Sequence, residues 1–143
     1  MSYTRVWVHY VWAVKNREPI LREDYRLALH QHIRKNARVK NIYLDRVNGY
    51  VDHVHCLVSL GRGQTIDTVA QLLKGESSNW FNNKSGLNAP YMNWQREYYA
   101  ASVSETLIDT TRAYIDAQVF HHETKTFAEE YDEMIREFGF PNR

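Results

Sequence analysis

One cysteine, almost no net charge and no long hydrophobic run: each shortage in this chain removes a class of protein. Cys56 is the lone cysteine of 143 residues. That excludes an internal disulfide and any cysteine-rich zinc site, and it fits a reducing, cytoplasmic setting. Cys56 itself reads as a small buried hydrophobe. No apolar stretch approaches the ~20 residues that span a bilayer. The opening residues, Met1-Ser2-Tyr3-Thr4-Arg5, lack the apolar core and cleavage site of a signal peptide. No membrane partner is therefore expected. Gly61-Arg62-Gly63 lacks the Lys-Ser/Thr ending of a phosphate-binding loop, and no Gly-x-Ser-x-Gly elbow occurs.

The net charge of +1 hides an uneven distribution. Residues 15–40 hold eight basic against three acidic side chains, and residues 123–137 hold six acidic against two basic. A basic N-terminal half suits phosphate neutralisation, with an acidic tail holding the total near zero. A solvated helix face followed by an acidic terminal helix accounts for the same charges. The composition is otherwise that of a soluble globular protein, 43% hydrophobic and 24% charged, and one domain over residues 1–143 is expected.

Residues 4–14 are dense in β-branched and aromatic side chains, a strand signal, and the polar run 15–19 ends it. Leu21, Tyr25, Leu29, Ile33 and Ala37 recur every four residues and predict a helix over 22–38. Residues 41–51 alternate Ile42, Leu44 and Arg46 against Tyr43, Asp45 and Val47 as a second strand, with a turn or bulge at Asn48-Gly49. A hairpin near residues 50–53 leads into a third strand over 53–60. Thr65 is a good N-cap for a helix carrying Ile66, Val69, Leu72, Leu73 and Phe81. A fourth strand is expected over 97–103. Ser104 is expected to cap a helix over about 105–122, and a short acidic helix over about 126–138 stops at Gly139 and Pro141. Strand, helix, strand, strand, helix, strand is the ferredoxin-like α+β order: a βαββαβ antiparallel sheet with helices on one face. Here it gains extra C-terminal helices.

The chemistry gathers at Asp52-His53-Val54-His55-Cys56. On a strand, His53 and His55 share a face, so their imidazoles form a ready pair of metal ligands. Two unrelated histidines in a chain with seven is the plainer alternative. Tyr114 and Gln118 stand four residues apart on one helix face. Gln118 has a carbonyl oxygen to offer a metal, and a phenolate at Tyr114 is a nucleophile. Surface decoration is again the plainer reading. His121 and His122 compete as ligands one turn further on. His9 is either a core histidine or a neighbour of the paired histidines on the sheet. Trp7, Trp12, Trp80 and Trp94 are stacking candidates or core residues.

Taken in order, these segments resemble the HUH single-tyrosine transposases of small bacterial insertion sequences, including the REP-associated tyrosine transposases. The resemblance runs over nearly the whole chain. It rests on His9-Tyr10-Val11-Trp12-Ala13-Val14-Lys15-Asn16-Arg17, Pro19-Ile20-Leu21, His53-Val54-His55, Leu73-Lys74-Gly75-Glu76-Ser77-Ser78, Trp94-Gln95 and Tyr114-Ile115-Asp116-Ala117-Gln118. It implies that His53, His55 and Gln118 hold a divalent ion, Mg²⁺ or Mn²⁺, and that Tyr114 is the nucleophile. The implied reaction cleaves and rejoins single-stranded DNA through a 5′-phosphotyrosine, on substrates with hairpin ends. A homodimer that shares its active sites between subunits is implied as well. Lys15, Arg17, Arg34 and Lys35, with Lys74, are the candidate phosphate contacts. Two other readings stand beside this one: a domesticated, non-catalytic single-stranded nucleic-acid binder, and a small metal-dependent hydrolase.

Overall fold

Four strands, β1 (Val6–Ala13), β2 (Tyr43–Gly49), β3 (His53–Leu60) and β4 (Tyr99–Val103), pair into one antiparallel sheet in the order β2-β3-β1-β4. The computed structural model describes residues 1–139. Helix α1 (Glu23–Val39) follows β1 and α2 (Ile66–Asn83) follows β3, so the expected ferredoxin-like βαββαβ order is present. After β4 come a 3-10 turn (Glu105–Leu107) and three short helices: α3 (Ile108–Asp116), α4 (Gln118–His122) and α5 (Phe127–Glu137). The expected stop at Pro141 lies outside the described residues. No described helix is long and apolar enough to cross a membrane.

The alternation of β1 and β3 builds two cores, because successive side chains face opposite ways. Val8, Tyr10, Trp12 and Val14 join Val54, Cys56 and Val58 on one face, under Leu29, Ile33 and Ala37 of α1 and Val69, Leu73 and Phe81 of α2. On the other face, Val11, Ala13 and Tyr99 meet Phe127 and Met134 of α5, while Trp7 and Leu57 meet Ile108 and Ile115 of α3. Helices therefore cover both faces of the sheet. The C-terminal helices form the second cover, which explains why β1 is apolar without alternation.

Local departures from the sequence expectation fall in β2 and in the segment after β4. The register irregularity in β2 sits between Leu44 and Arg46, not at Asn48-Gly49. The bulge shifts the two-residue period, so Ile42, Leu44 and Val47 all reach the α1 side. Gly49 instead serves a close approach at the hairpin, where a Cβ would lie 2.2 Å from the His53 carbonyl oxygen. The predicted helix over 105–122 is broken, with Ala117 between α3 and α4 at φ −94°, ψ 13°. Ser104 makes no capping bond to the backbone; its hydroxyl pairs with Thr106.

Buried histidines give the fold a defined acid response. Burial holds His30 of α1 neutral, lowering its pKa from 6.5 to about 3, with Arg26 and Arg34 adding to the effect. The folded value lies below the unfolded one, so the unfolded chain takes the proton first. Stability is thus complete above about pH 6.5 and falls as the pH drops toward 3, by about 1.4 kcal/mol per pH unit for each such group. Urea unfolding should show a lower midpoint near pH 5 than near pH 7, and the gap should narrow in His30→Gln.

Candidate metal and tyrosine centre

His53 and His55 project from β3 toward the C-terminal helices, and both are fully buried. Asp52 Oδ1 lies 2.8 Å from His53 Nδ1, and His9 Nε2 of β1 lies 2.8 Å from His55 Nδ1. A ring nitrogen engaged at Nδ1 presents its Nε2 lone pair on the opposite side. Both Nε2 atoms therefore face one point between the sheet and the helices. His9 settles into the second of its two sequence readings: a partner that orients His55. Burial lowers its pKa to about 3, with His55 beside it adding to the shift, so it stays neutral and able to accept.

Three helices bring side chains to the same point. Gln118, the first residue of α4, sets Oε1 at 3.0 Å from His53 Nε2. Tyr114 of α3 donates its hydroxyl to Glu130 Oε2. Glu130 of α5 is only 1% exposed, and nearly every polar group of the centre meets it. Its Oε1 lies 3.4 Å from His53 Nε2, 3.3 Å from His55 Nε2 and 3.1 Å from His122 Nε2. Its Oε2 accepts from Gln118 Nε2 at 3.0 Å and from Tyr114. Burial works to raise the Glu130 pKa, but the close imidazoles of His122, His53 and His55 outweigh it and hold the carboxyl far below its ordinary value. Tyr114 is shifted the other way: burial, then the Glu130 carboxylate, push its phenol well above the usual range.

The position of α3 is set by β2 of the same chain. Arg112 grips Asp45 with two bonds of 2.8 and 3.0 Å, and Asn48 Nδ2 donates to the Ile115 carbonyl at 2.8 Å. Helix α5 is fixed at its start by the N-cap Thr126, whose hydroxyl oxygen accepts from Glu129 N and whose O–H donates to the Glu129 carboxylate. That start phases Phe127, Glu130 and Met134 onto the inward face.

The donor set fits a divalent ion. His53, His55 and Glu130 offer ligand atoms that all lie within 4.8 Å of one another. Adjacent ligands of an octahedral ion at about 2.1 Å are about 3.0 Å apart, and the spacings around His53 Nε2 and Glu130 Oε1 are 3.0 to 3.4 Å. Two imidazoles alone are a soft environment for Mg²⁺ or Mn²⁺; the Glu130 carboxylate and the Gln118 oxygen harden it.

The family model for IS200-like transposases matches residues 2–118. The chain belongs to that family. Among solved structures it is similar to a proposed transposase from Deinococcus radiodurans R1, at 22% identity and a TM-score of 0.63, over 82% of this chain and 93% of that one. It is also similar to a REP-associated tyrosine transposase bound to a REP hairpin, at 18% identity and a TM-score of 0.55, over 82% of this chain and 67% of that one. At these identities the likeness speaks for the fold. No curated protein matches the chain.

Against this geometry, the residues singled out from the transposase sequence divide. His53, His55, Gln118 and Tyr114 come together. Glu130 is the member that sequence reasoning missed, and His122 supports it. His121 lies 3.6 Å from Glu130 Oε2. Lys15 and Arg17 are exposed at the edge of the centre. The Arg17 guanidinium lies over the Phe127 ring, which stacks on His53. Arg34 and Lys35 are exposed on α1, on the opposite side of the sheet. Lys74 donates to the carbonyls of Gln95 and Arg96 at 2.7 and 2.8 Å, so its ammonium braces the loop before β4.

Proposed function

We propose that this transposase cleaves and rejoins single-stranded DNA with hairpin-bearing ends through a covalent bond between Tyr114 and a 5′-phosphate. The observation that carries the reading is the convergence of the Tyr114 hydroxyl with His53, His55, Gln118 and Glu130 in one buried centre. His53, His55 and Glu130, with the Gln118 oxygen, would hold Mg²⁺ or Mn²⁺; such an ion, when bound, polarises the scissile phosphate. The protein supplies the rest. The phenol of Tyr114 gives up its proton to water as its oxygen is drawn to phosphorus, against the burial and the Glu130 carboxylate that hold that proton in the resting centre. The Tyr114 oxygen then forms a bond to phosphorus while the bond from phosphorus to the 3′ oxygen breaks. The departing oxygen keeps the electron pair and takes up a proton as a free 3′-OH. The phosphotyrosine conserves the bond energy, so a 3′-OH can later attack it and rejoin strands without a nucleotide cofactor. Asp52 and His9 keep the two imidazoles in the productive orientation.

Incubation with end-labelled single-stranded DNA from the flanks of its own gene and Mn²⁺ tests the reading. A metal-dependent adduct that survives a denaturing gel is the expected product, and DNA that is bound but never joined to protein would leave a non-catalytic binder. The homodimer bears on the same assay. We take Tyr114 to act with the histidines of its own chain, so mixing inactive Tyr114→Phe with inactive His53→Ala should restore no cleavage. Recovery toward a quarter or more of wild-type activity would instead require exchange of the tyrosine helix between subunits.

A further inference from the structure

The loop before β4 combines a heavily tied backbone with polar side chains that bind nothing. Asn82 brackets the Met92 backbone, its Nδ2 donating to Met92 O at 2.7 Å and its Oδ1 accepting from Met92 N at 2.8 Å. Lys15 N donates to Asn93 O and Gln95 N to Ala13 O, both at 2.8 Å, which extends the sheet as a bridge between Val14 and Trp94. Trp94 Nε1 donates to Ser77 Oγ at 3.0 Å, and Lys74 holds the next carbonyls. An irregular segment anchored this way is pre-organised, since little further entropy is lost when a ligand settles on it.

Facing it is the 3-10 turn Lys15–Arg17, where Asn16 and Arg17 are left-handed, at φ 59° and 53°. Two consecutive non-glycine residues in that region store strain, a feature that clusters at ligand-binding positions. Between turn and loop lies a concavity of about 530 Å³, within the roughly 300–1,000 Å³ range of small-ligand sites. Lys15, Asn16, Asn93, Trp94, Gln95 and Arg96 line it. The side chains of Lys15, Asn16, Asn93, Gln95 and Arg96 make no hydrogen bond among the described residues.

Three carboxamides, two cations and an indole are the kinds of group that read a nucleobase: amides and guanidinium for its polar edge, an aromatic for its apolar surface, a cation for its phosphate. Glu97 on the rim leaves the pocket with a net charge of only +1. Such a balance suits one nucleotide better than a run of backbone phosphates. The pocket also lies beside the chemistry. Ala13 pairs with His53, Val14 N donates to Asp52 O at 2.8 Å, and Lys15 follows directly.

We infer that this pocket takes one unpaired nucleotide of the DNA strand beside the scissile phosphate and reads its base through Asn93, Gln95 and Arg96. The inference rests on the strand-cleavage reading for its substrate class. The pocket fixes which base flanks the cut, while the histidine and tyrosine centre makes the cut.

Two measurements test it on the full chain. The first is a 20-nucleotide single-stranded DNA pool, randomised in sequence and with 5-iodouracil in place of thymine, photocrosslinked to the protein and mapped by peptide mass. Crosslinks to the peptide carrying residues 93–97 are expected, reduced at least five-fold in Asn93→Ala/Arg96→Ala. Both substituted side chains are exposed, so the fold is retained. The second sequences the DNA joined to the protein. Wild type should show a base preference at one position next to the junction, and the double variant should lose it while still forming adduct. Crosslinks confined to other surfaces, or an unchanged preference in the variant, overturn the inference. Crosslinking at 93–97 with no adduct from any DNA would overturn the cleavage reading and leave the pocket standing.

Discussion

Tyr114→Phe should reduce adduct formation and strand cleavage by on the order of 10⁴-fold or more, while binding of single-stranded DNA changes less than about three-fold. The substitution removes one oxygen and keeps the ring that packs beside Leu57, Ile108 and Ile115. Structure is therefore conserved and the nucleophile alone is lost. One hydrogen bond disappears with it, from the phenol to Glu130. Glu130 keeps its contacts to Gln118 and His122, so the centre stays assembled and thermal stability should move by about 1 kcal/mol at most. Denaturing gels for the adduct, beside fluorescence anisotropy for binding, separate the two quantities. A variant that still cuts would assign the reaction to a metal-activated water, the hydrolase reading, and Tyr114 would then be a packing residue.

The parts of this fold that the sequence announced are those where a repeat period and a local stop agree. Leu29, Ile33 and Ala37 kept their four-residue spacing through α1, and Thr65 capped α2 through its hydroxyl. Where two local rules competed, pattern reading slipped. The alternation in β2 predicted Val47 on the face opposite Leu44, but the bulge between Leu44 and Arg46 brought both to the α1 side. Spacing placed Tyr114 and Gln118 on one helix, and a break at Ala117 separates them, yet both still reach the same centre. Spacing could not show how α3 is held against the sheet, because that depends on Asp45, Asn48 and Arg112, which lie far apart in sequence. Lys74 was a candidate phosphate contact, and spacing gave no sign that its ammonium also closes on carbonyls some twenty residues away.

Glu130→Ala should weaken Mn²⁺ binding by about 10- to 100-fold and lower cleavage by at least as much, with isothermal titration of the metal as the direct measurement. Of the centre's residues, Glu130 was the least visible, sitting in a stretch with six acids that reads as a solvated face. The signal was its phase. Phe127, Glu130 and Met134 fall at i, i+3 and i+7, the buried stripe of an amphipathic helix, and a carboxylate on such a stripe needs partners. Its partners are donors or ligands, with His53, His55 and His122 at one oxygen and Tyr114 and Gln118 at the other. Removing the carboxylate takes away the hard oxygen that suits the site to Mn²⁺, the hydrogen-bond acceptor that holds the Tyr114 hydroxyl in place and the group that binds α5 to the sheet. Glu130→Gln separates these roles, since it keeps the volume and one oxygen but loses the charge. Metal affinity should fall in both variants, and thermal stability should fall less in Glu130→Gln than in Glu130→Ala. A rise in cleavage in either variant would sink the ligand assignment. It would mean that the Glu130 carboxylate stands where a phosphate oxygen of the DNA must go, with the acidic face of α5 acting as a cover over the centre.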